Sequence, residues 1–307
     1  MSNNIDTILK TPSVARELSG KFFYKKSIKN LSWLKAGGIL EYLYIPKDEN
    51  DLSILLQELI PGLELNVFGK LSNILIRDGG LSGLSILIPP EFKKITYQEQ
   101  NILNVGSGVL DKEVAKKCID LQIGGLEFLS GIPGTIGGGI IMNAGCYGSE
   151  FKDILLDINF LDKKGKKIKL KASDIDFKYR TSNISKNLIV TSANLKGFKK
   201  NSKEIKRKIN KITKKRISSQ PQGYPTGGST FKNDKKYKAW QLINKLGLKD
   251  LRCGDAVISD QHNNFMINMG KAKASDFENL GEIIIAKVLN EFGIKLEWEI
   301  QILGQNG

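Results

Sequence analysis

The sequence predicts a mixed α+β protein with more than one domain. Three observations carry this. Helix-like and strand-like segments are interleaved along the chain, no repeat of 20–50 residues is present, and the composition turns sharply basic near Lys200. A length of 307 residues suffices for two or three domains of ~100–200 residues. With 40% hydrophobic and 26% charged residues, the chain can bury a real core.

The elements follow in order. Residues 48–60 read as a helix: an acidic start, then Leu52, Leu55, Leu56 and Leu59 at helical spacing, stopped by Pro61-Gly62. Residues 65–68 and 74–76 are short strands around a turn at 69–73, and Asp78-Gly79-Gly80 is turn chemistry. Residues 84–88 and 95–105 are strand-like. Residues 111–120 form a short helix with Asp111 as its cap. Residues 154–161 and 166–170 make a hairpin around Lys163-Lys164-Gly165, and 188–195 is a further strand. Residues 202–217 form an amphipathic helix with Ile205, Ile209 and Ile212 on one face. After a loop at 218–228 come helices at 239–246 and 275–292, and a closing strand at 295–303.

The formal charge is +15, from 47 basic and 32 acidic residues, which suits phosphate-rich partners. The basic residues are almost all Lys. Specific DNA readers rely on Arg forks, so nucleic-acid binding is not the expected function. Residues 199–216 hold ten basic residues and one acid, Glu204. They read as a solvated helix face opening a new domain, with an anion-attracting rim as the sharper alternative.

Cys118, Cys146 and Cys253 are far apart and His262 is the only histidine, so no metal site is expected. Free thiols fit a reducing compartment. His262 has no orienting partner in sequence and reads as structural. Residues 1–20 lack the apolar core of a signal peptide. The longest uncharged run, 128–149, carries seven glycines and Pro133, which makes it a loop rather than a membrane span. A cytoplasmic protein with no membrane partner is expected.

Two glycine loops invite a ligand. Residues 131–139 are so rich in glycine that main-chain N–H groups should lie bare, as an anion-binding nest, and a flat ring could approach the backbone. Asn143-Ala144-Gly145 continues the pattern. Gly69-Lys70-Leu71-Ser72-Asn73 supplies a turn, a cation and two hydrogen-bonding side chains, a suitable set for a pyrophosphate. Val105-Gly106-Ser107-Gly108 is not a dinucleotide fingerprint, because Asp111 stands where the third glycine belongs and its charge opposes a phosphate.

Taken together, these segments resemble the UDP-N-acetylenolpyruvoylglucosamine reductase family over about residues 30–304. The resemblance rests on six motifs in the family's order: Phe68–Asn73 with Arg77-Asp78-Gly79-Gly80, then 125–138, Met142-Asn143-Ala144-Gly145 with Tyr147-Gly148, 177–182, Gln220-Pro221 with 228–233, and 296–300. It implies an FAD-binding part of the vanillyl-alcohol-oxidase type in two subdomains plus a C-terminal α+β substrate-binding domain. The expected bounds are 21–90 with 300–307 returning to it, 91–199, and 200–299. Arg180 and Ser229 are 49 positions apart, as in the shorter subfamily without the tyrosine-loop insertion. One departure stands out: Leu71 replaces the family's usual glycine, which could narrow the phosphate turn or shift its torsions and weaken FAD binding.

The resemblance further implies NADPH-dependent reduction of an enolpyruvyl nucleotide sugar through FAD, by a monomer or weak oligomer. Arg180 would stabilise the enolate, Ser229 would donate the proton to carbon, and Glu299 would face the developing acid. Of the two strand acids Glu297 and Glu299, on opposite faces, the family's pattern selects Glu299. Gly69, Lys70, Leu71, Ser72, Asn73, Gly134, Thr135, Ile136, Gly137, Gly138, Asn143, Ala144 and Gly145 would bind FAD. Tyr147, Lys232 and Asn233 would bind substrate. The rival readings are an FAD-dependent alcohol or sugar oxidase of the same fold and a basic nucleic-acid-binding protein.

Overall fold

The computed structural model describes residues 17–59, 62–92 and 94–307. The expected helix stop at Ile60 and Pro61 lies outside the described residues, as does most of the N-terminal stretch read for a signal peptide. The chain divides into two compact units. Unit 1 comprises the residues up to 23, 42–70 and 83–214; unit 2 comprises 24–41, 71–82 and 215–307.

The division runs through strands β1 (Lys21–Ser27), β2 (Ile39–Ile45) and β5 (Leu81–Leu87). Helix α1 (Glu49–Glu58) begins at Asp48, whose carboxylate accepts the Asp51 N–H at 2.9 Å; of the expected stripe Leu52, Leu55 and Leu56 are buried, while Leu59 is the half-buried residue just past the helix. β3 (Leu65–Phe68) pairs in parallel with β5, Leu65 opposite Leu84. β4 is Ile74–Ile76. With β1 and β2 these strands give a four-stranded order β1-β2-β5-β3.

The rest of unit 1 is built on an antiparallel sheet. The segment expected as one strand at 95–105 is a hairpin of β6 (Ile95–Gln98) and β7 (Ile102–Gly106). Gln100 and Asn101 turn the chain with φ of 59° and 61°, a left-handed conformation that residue type alone did not signal. Helix α2 (Asp111–Leu121) follows, then the short α3 (Ile136–Ile141). β8 (Leu155–Asp162), β9 (Lys167–Lys171) and β10 (Leu188–Lys196) complete a sheet of order β9-β8-β10-β7-β6. Its core packs Val105, Cys118, Phe128, Ile136, Phe151, Phe160 and Leu195. Burial pushes the Cys118 thiol up to about 12, with Glu127 adding to the shift, so this cysteine is a small hydrophobe. α4 (Ser202–Ser219) buries Ile205 and Ile212 and presents its lysines outward.

Unit 2 has its own core. β11 (Thr226–Ser229), β12 (Arg252–Cys253), β13 (Ala256–Ile258) and β14 (Phe265–Asn268) form an antiparallel sheet of order β11-β14-β13-β12. α5 (Ala239–Lys245) and α6 (Ala274–Phe292) pack with it around Phe231, Phe277, Leu280 and Ile284. A β-carbon at Gly281 would overlap the Trp298 ring, so α6 can seat the indole only where a side chain is missing. The final strand β15 (Gln301–Leu303) pairs in parallel with β4. Asp78 caps α6, accepting the N–H groups of Ala274 and Ser275 at 2.9 Å each, and Arg77 pairs with Glu278 at 3.0 Å. The Arg77-Asp78-Gly79-Gly80 motif thus anchors a helix.

Two local expectations are corrected. Asp111 is the first residue of α2, not its cap; the cap is Leu110, which makes no side-chain capping bond. Residues 295–300 are not strand: apart from an isolated bridge between Trp298 and Phe231, regular pairing begins at Gln301. Glu297 and Glu299 therefore do not alternate across a strand, although Glu297 is exposed and Glu299 half-buried.

Candidate active site

In unit 1 the two glycine loops meet. A β-carbon on Gly69 would overlap the Thr135 hydroxyl, so the turn after β3 can approach the 134–138 loop only because residue 69 is glycine. Gly138 is exposed, with only the Thr135 hydroxyl near its face, leaving backbone a flat ligand can lie against. The nest, however, is smaller than expected. The Ile136 N–H donates to Val109 O at 3.0 Å and the Gly137 N–H to Ser107 O at 2.8 Å, so neither amide is bare. Glycine lets the two loops close on each other at Gly69 and Thr135 and leaves the Gly138 backbone open, which fits a flat dinucleotide cofactor such as FAD.

Beneath this cradle lie two polar groups that no protein atom satisfies. The Ser107 hydroxyl, beside Gly137, and both carboxyl oxygens of Asp111, beside Gly134, are buried without a hydrogen-bond partner. Burial pushes the Asp111 carboxyl well above the usual range, and the nearby Gly134 N–H offsets only part of this. Burial therefore favours the protonated, uncharged form of Asp111, which weakens the negative charge that seemed to oppose a phosphate. Its raised pKa means the folded chain keeps a proton that the unfolded chain releases. Stability then falls as pH rises from about 4 towards the folded value. Asp111→Asn is expected to remove that slope and to match or exceed the parent in stability at neutral pH, measured by urea unfolding between pH 4 and 8.

Two tight hairpins present the next residues. Gly145–Cys146 pairs with Ser149–Glu150, and the tip residues Tyr147 and Gly148 have φ of 53° and 87°, as a two-residue turn that follows strand twist requires. Phe177–Lys178 pairs with Thr181–Ser182, placing Arg180 at the tip with φ 56°. The Arg180 guanidinium donates to Gly145 O at 3.0 Å and stacks on Tyr179, while Asp176 pairs with Lys178. Asn143, also left-handed at φ 42°, fixes both hairpins: its amide donates to Glu150 at 3.0 Å and to Lys178 O at 3.2 Å. Its carbonyl oxygen accepts the Lys152 N–H. The Asn143 side chain is thus buried in protein contacts, although the sequence pointed to it as a cofactor ligand. Three non-glycine residues in strained torsions lie in these adjoining segments, a pattern found at functional sites.

Unit 2 holds the other expected groups. Ser229 ends β11 opposite Phe265. The next residue, Thr230, accepts the Glu299 N–H at 2.8 Å, so one peptide links the serine segment to the acid segment. Asn73, expected to bind cofactor, donates its amide to Glu299 O at 2.9 Å. Lys232 pairs with the exposed Glu297 at 3.2 Å, and the Asn233 carbonyl oxygen accepts the Ala239 N–H at the start of α5. His262 is half-buried with edge contacts to Trp240 and Phe265, and its Nδ1 accepts the Asn264 N–H; partial burial lowers its pKa, in keeping with a structural role.

Leu71 retains a left-handed torsion, φ 54°, and buries its side chain to 4% exposure, while its carbonyl accepts the Trp33 N–H. Glycine there would relieve ~1–2 kcal/mol of strain, but it would empty a leucine site worth about 2–5 kcal/mol and add backbone entropy. Leu71→Gly is expected to lower stability by about 2 kcal/mol, seen as a lower midpoint in urea with unchanged slope.

Sequence reasoning missed Ser107, Asp111, Glu127 and Asn264 as parts of this architecture. Only Asp111 carried a signal, a charged residue opening a helix after glycines. Among the described residues no cluster could hold a metal and no helix is long and apolar enough to cross a membrane.

Comparison with known proteins gives concordant matches. A family model described as FAD binding domain matches residues 40–171, and one described as UDP-N-acetylenolpyruvoylglucosamine reductase, C-terminal domain, matches 220–303. A UDP-N-acetylenolpyruvoylglucosamine reductase of Orientia tsutsugamushi (strain Ikeda) is 45% identical over 306 residues, covering 98% of this chain and 99% of the relative. One from Rickettsia bellii (strain RML369-C) is 45% identical over 288 residues, covering 94% of this chain and 95% of the relative. The crystal structure of UDP-N-acetylenolpyruvylglucosamine reductase from Thermus caldophilus superimposes with a TM-score of 0.79 at 30% identity, over 93% of this chain and 99% of that one. The fold expected from the resemblance, an FAD-binding part with a C-terminal α+β domain, is the fold of this chain.

Proposed function

Because the chain belongs to the UDP-N-acetylenolpyruvoylglucosamine reductase family, we propose that Arg180, Ser229 and Glu299 act on an enolpyruvyl nucleotide sugar with NADPH as the reductant. The chain is an FAD-containing oxidoreductase that reduces enolpyruvyl UDP-N-acetylglucosamine in peptidoglycan precursor synthesis. The observation that carries this at the level of structure is the seating of Gly69 against Thr135, which makes one cradle of two loops.

Bound FAD would be held by Gly69, Lys70, Leu71, Ser72, Asn73, the 134–138 loop and 143–145, and it supplies hydride chemistry that no side chain offers. Arg180 keeps its charge at any working pH and its planar fork matches a carboxylate, so it steadies the negative charge that spreads into the substrate's carboxylate. Ser229 gives its proton to the enolate carbon, a base strong enough to deprotonate a hydroxyl. Glu299 faces the developing acid as hydrogen-bond partner. Lys232 and Asn233 hold the diphosphate or sugar and Tyr147 touches it from its turn. The Lys232–Glu297 pair is exposed and worth at most ~1 kcal/mol, so a diphosphate displaces Glu297 at little cost. Residues 21–90 with 300–307, and 91–199, carry the cofactor; 200–299 carry the substrate. The protein works in the cytoplasm as a monomer or weak oligomer.

The test is an absorbance spectrum of the purified protein followed by two additions. A yellow protein bleached by NADPH and restored by the enolpyruvyl nucleotide sugar supports the reading. Failure to bind FAD, or reduced protein indifferent to that sugar, overturns it.

A further inference from the structure

We propose that Asn264 is a positioning residue that sets the register between Ser229 and Glu299. This rests on the roles given to those two residues above. Asn264 is 1% exposed, directly before β14. Its side chain clamps the main chain of Phe231 from both sides: the carbonyl oxygen accepts the Phe231 N–H at 3.0 Å, and the amide donates to Phe231 O at 2.8 Å. Its own main-chain carbonyl accepts the Thr230 N–H at 2.7 Å.

A side-chain amide can donate and accept at once without carrying charge, imitating a neighbouring strand. The clamp matters because regular pairing is irregular here: the register of β11 against β14 shifts between Thr226 and Ser229. Gly228, at φ 83°, adds freedom immediately before the serine. Asn264 restores order at Thr230 and Phe231.

From that point order passes to the acid. Thr230 O receives the Glu299 N–H, and Asn73 holds Glu299 O. The Glu299 main chain is thereby fixed on both sides of its side chain, by the serine segment and by the 69–73 turn. Asn264 in turn is aligned by His262, whose Nδ1 accepts the Asn264 N–H at 3.2 Å. Asn264 touches neither reacting group; it determines where they stand, and small displacements of such groups are costly.

Asn264→Ala removes the clamp, and Asn264→Asp keeps the shape but loses the donor and sets a carboxylate against Phe231 O. Both variants are compared with the parent by rapid mixing, one half-reaction at a time. NADPH-driven bleaching is expected to stay within about twofold, while reoxidation by the enolpyruvyl sugar slows by about 10–100-fold. Hydrogen exchange adds a readout independent of turnover: the Phe231 and Glu299 amides should lose protection while those of α6 keep theirs. If Asn264→Ala fails to fold, Asn264→Asp decides. Unchanged reoxidation in a folded variant, equal slowing of both half-reactions, or retained amide protection overturns the proposal. If the parent is not reoxidised by the sugar, the functional reading itself fails, and that result is distinct from all three.

Discussion

Ser229→Ala is expected to slow reoxidation of the reduced protein by the enolpyruvyl nucleotide sugar at least 100-fold, and to leave its bleaching by NADPH unchanged. General acid catalysis contributes ~10²–10⁴-fold, and Ser229 is assigned the single proton delivered to carbon. Flavin reduction needs no such proton, so the two half-reactions separate. Ser229 is half-buried at the end of β11, and the local fold is held by Thr230 and its neighbours rather than by the serine hydroxyl. The variant should therefore melt with the parent. Rapid mixing followed at the flavin absorbance measures both steps, and an undiminished reoxidation rate removes Ser229 from the mechanism.

The second large effect concerns stability. Glu127 is fully buried, and its carboxylate accepts from Lys200 at 3.1 Å, Lys208 at 3.3 Å and the Gly125 N–H at 2.9 Å. Burial pushes its pKa up. Its own N–H, the two lysines and the Gly125 N–H together outweigh burial and hold the carboxyl below its ordinary 4.5. Lys208 joins the basic helix α4, and Lys200 the residues just before it, to the 125–131 segment that precedes the glycine loop.

Replacing both lysines with methionine keeps the aliphatic stems and strands the carboxylate. An uncompensated buried charge costs about 3–5 kcal/mol, a large share of the ~5–15 kcal/mol that holds a typical domain together. The pH dependence should invert as well. In the parent, this group's contribution is present above pH 4.5 and is lost as pH falls through the lowered folded pKa. In the double variant the folded pKa is raised, so the deficit shrinks as the solution is acidified. Adding Glu127→Gln should recover much of the loss. A deficit below about 1 kcal/mol in urea unfolding at pH 8 would show that the pair behaves like an ordinary surface bridge.

Part of the candidate site was legible from residue type because its demands are local. Gly69 and Gly137 are needed where a side chain would strike Thr135 or Ser107, and glycine density announces that directly. The leucine stripe of α1 and the isoleucine stripe of α4 follow from helical periodicity, and both are buried apart from the half-buried Leu59 and Ile209. The segment around 100 was misread because β6 and β7 are joined by Gln100 and Asn101, which reach left-handed torsions without glycine. Strands β1 and β2 and the β12–β14 run are not among the elements expected from the sequence.

By itself the sequence determined the fold class, the family, and the segments that carry glycine cradles, because backbone space and hydrophobic period are written residue by residue. Only the tertiary structure decided which polar groups answer one another: that Ile136 and Gly137 have committed their amides, that Asn143 and Asp78 fasten elements, that burial pushes the Asp111 carboxyl up, and that Asn264 aligns residues more than thirty positions away. Hydrogen bonding and pKa depend on which groups meet and on how much water is excluded. Distance along the chain carries neither.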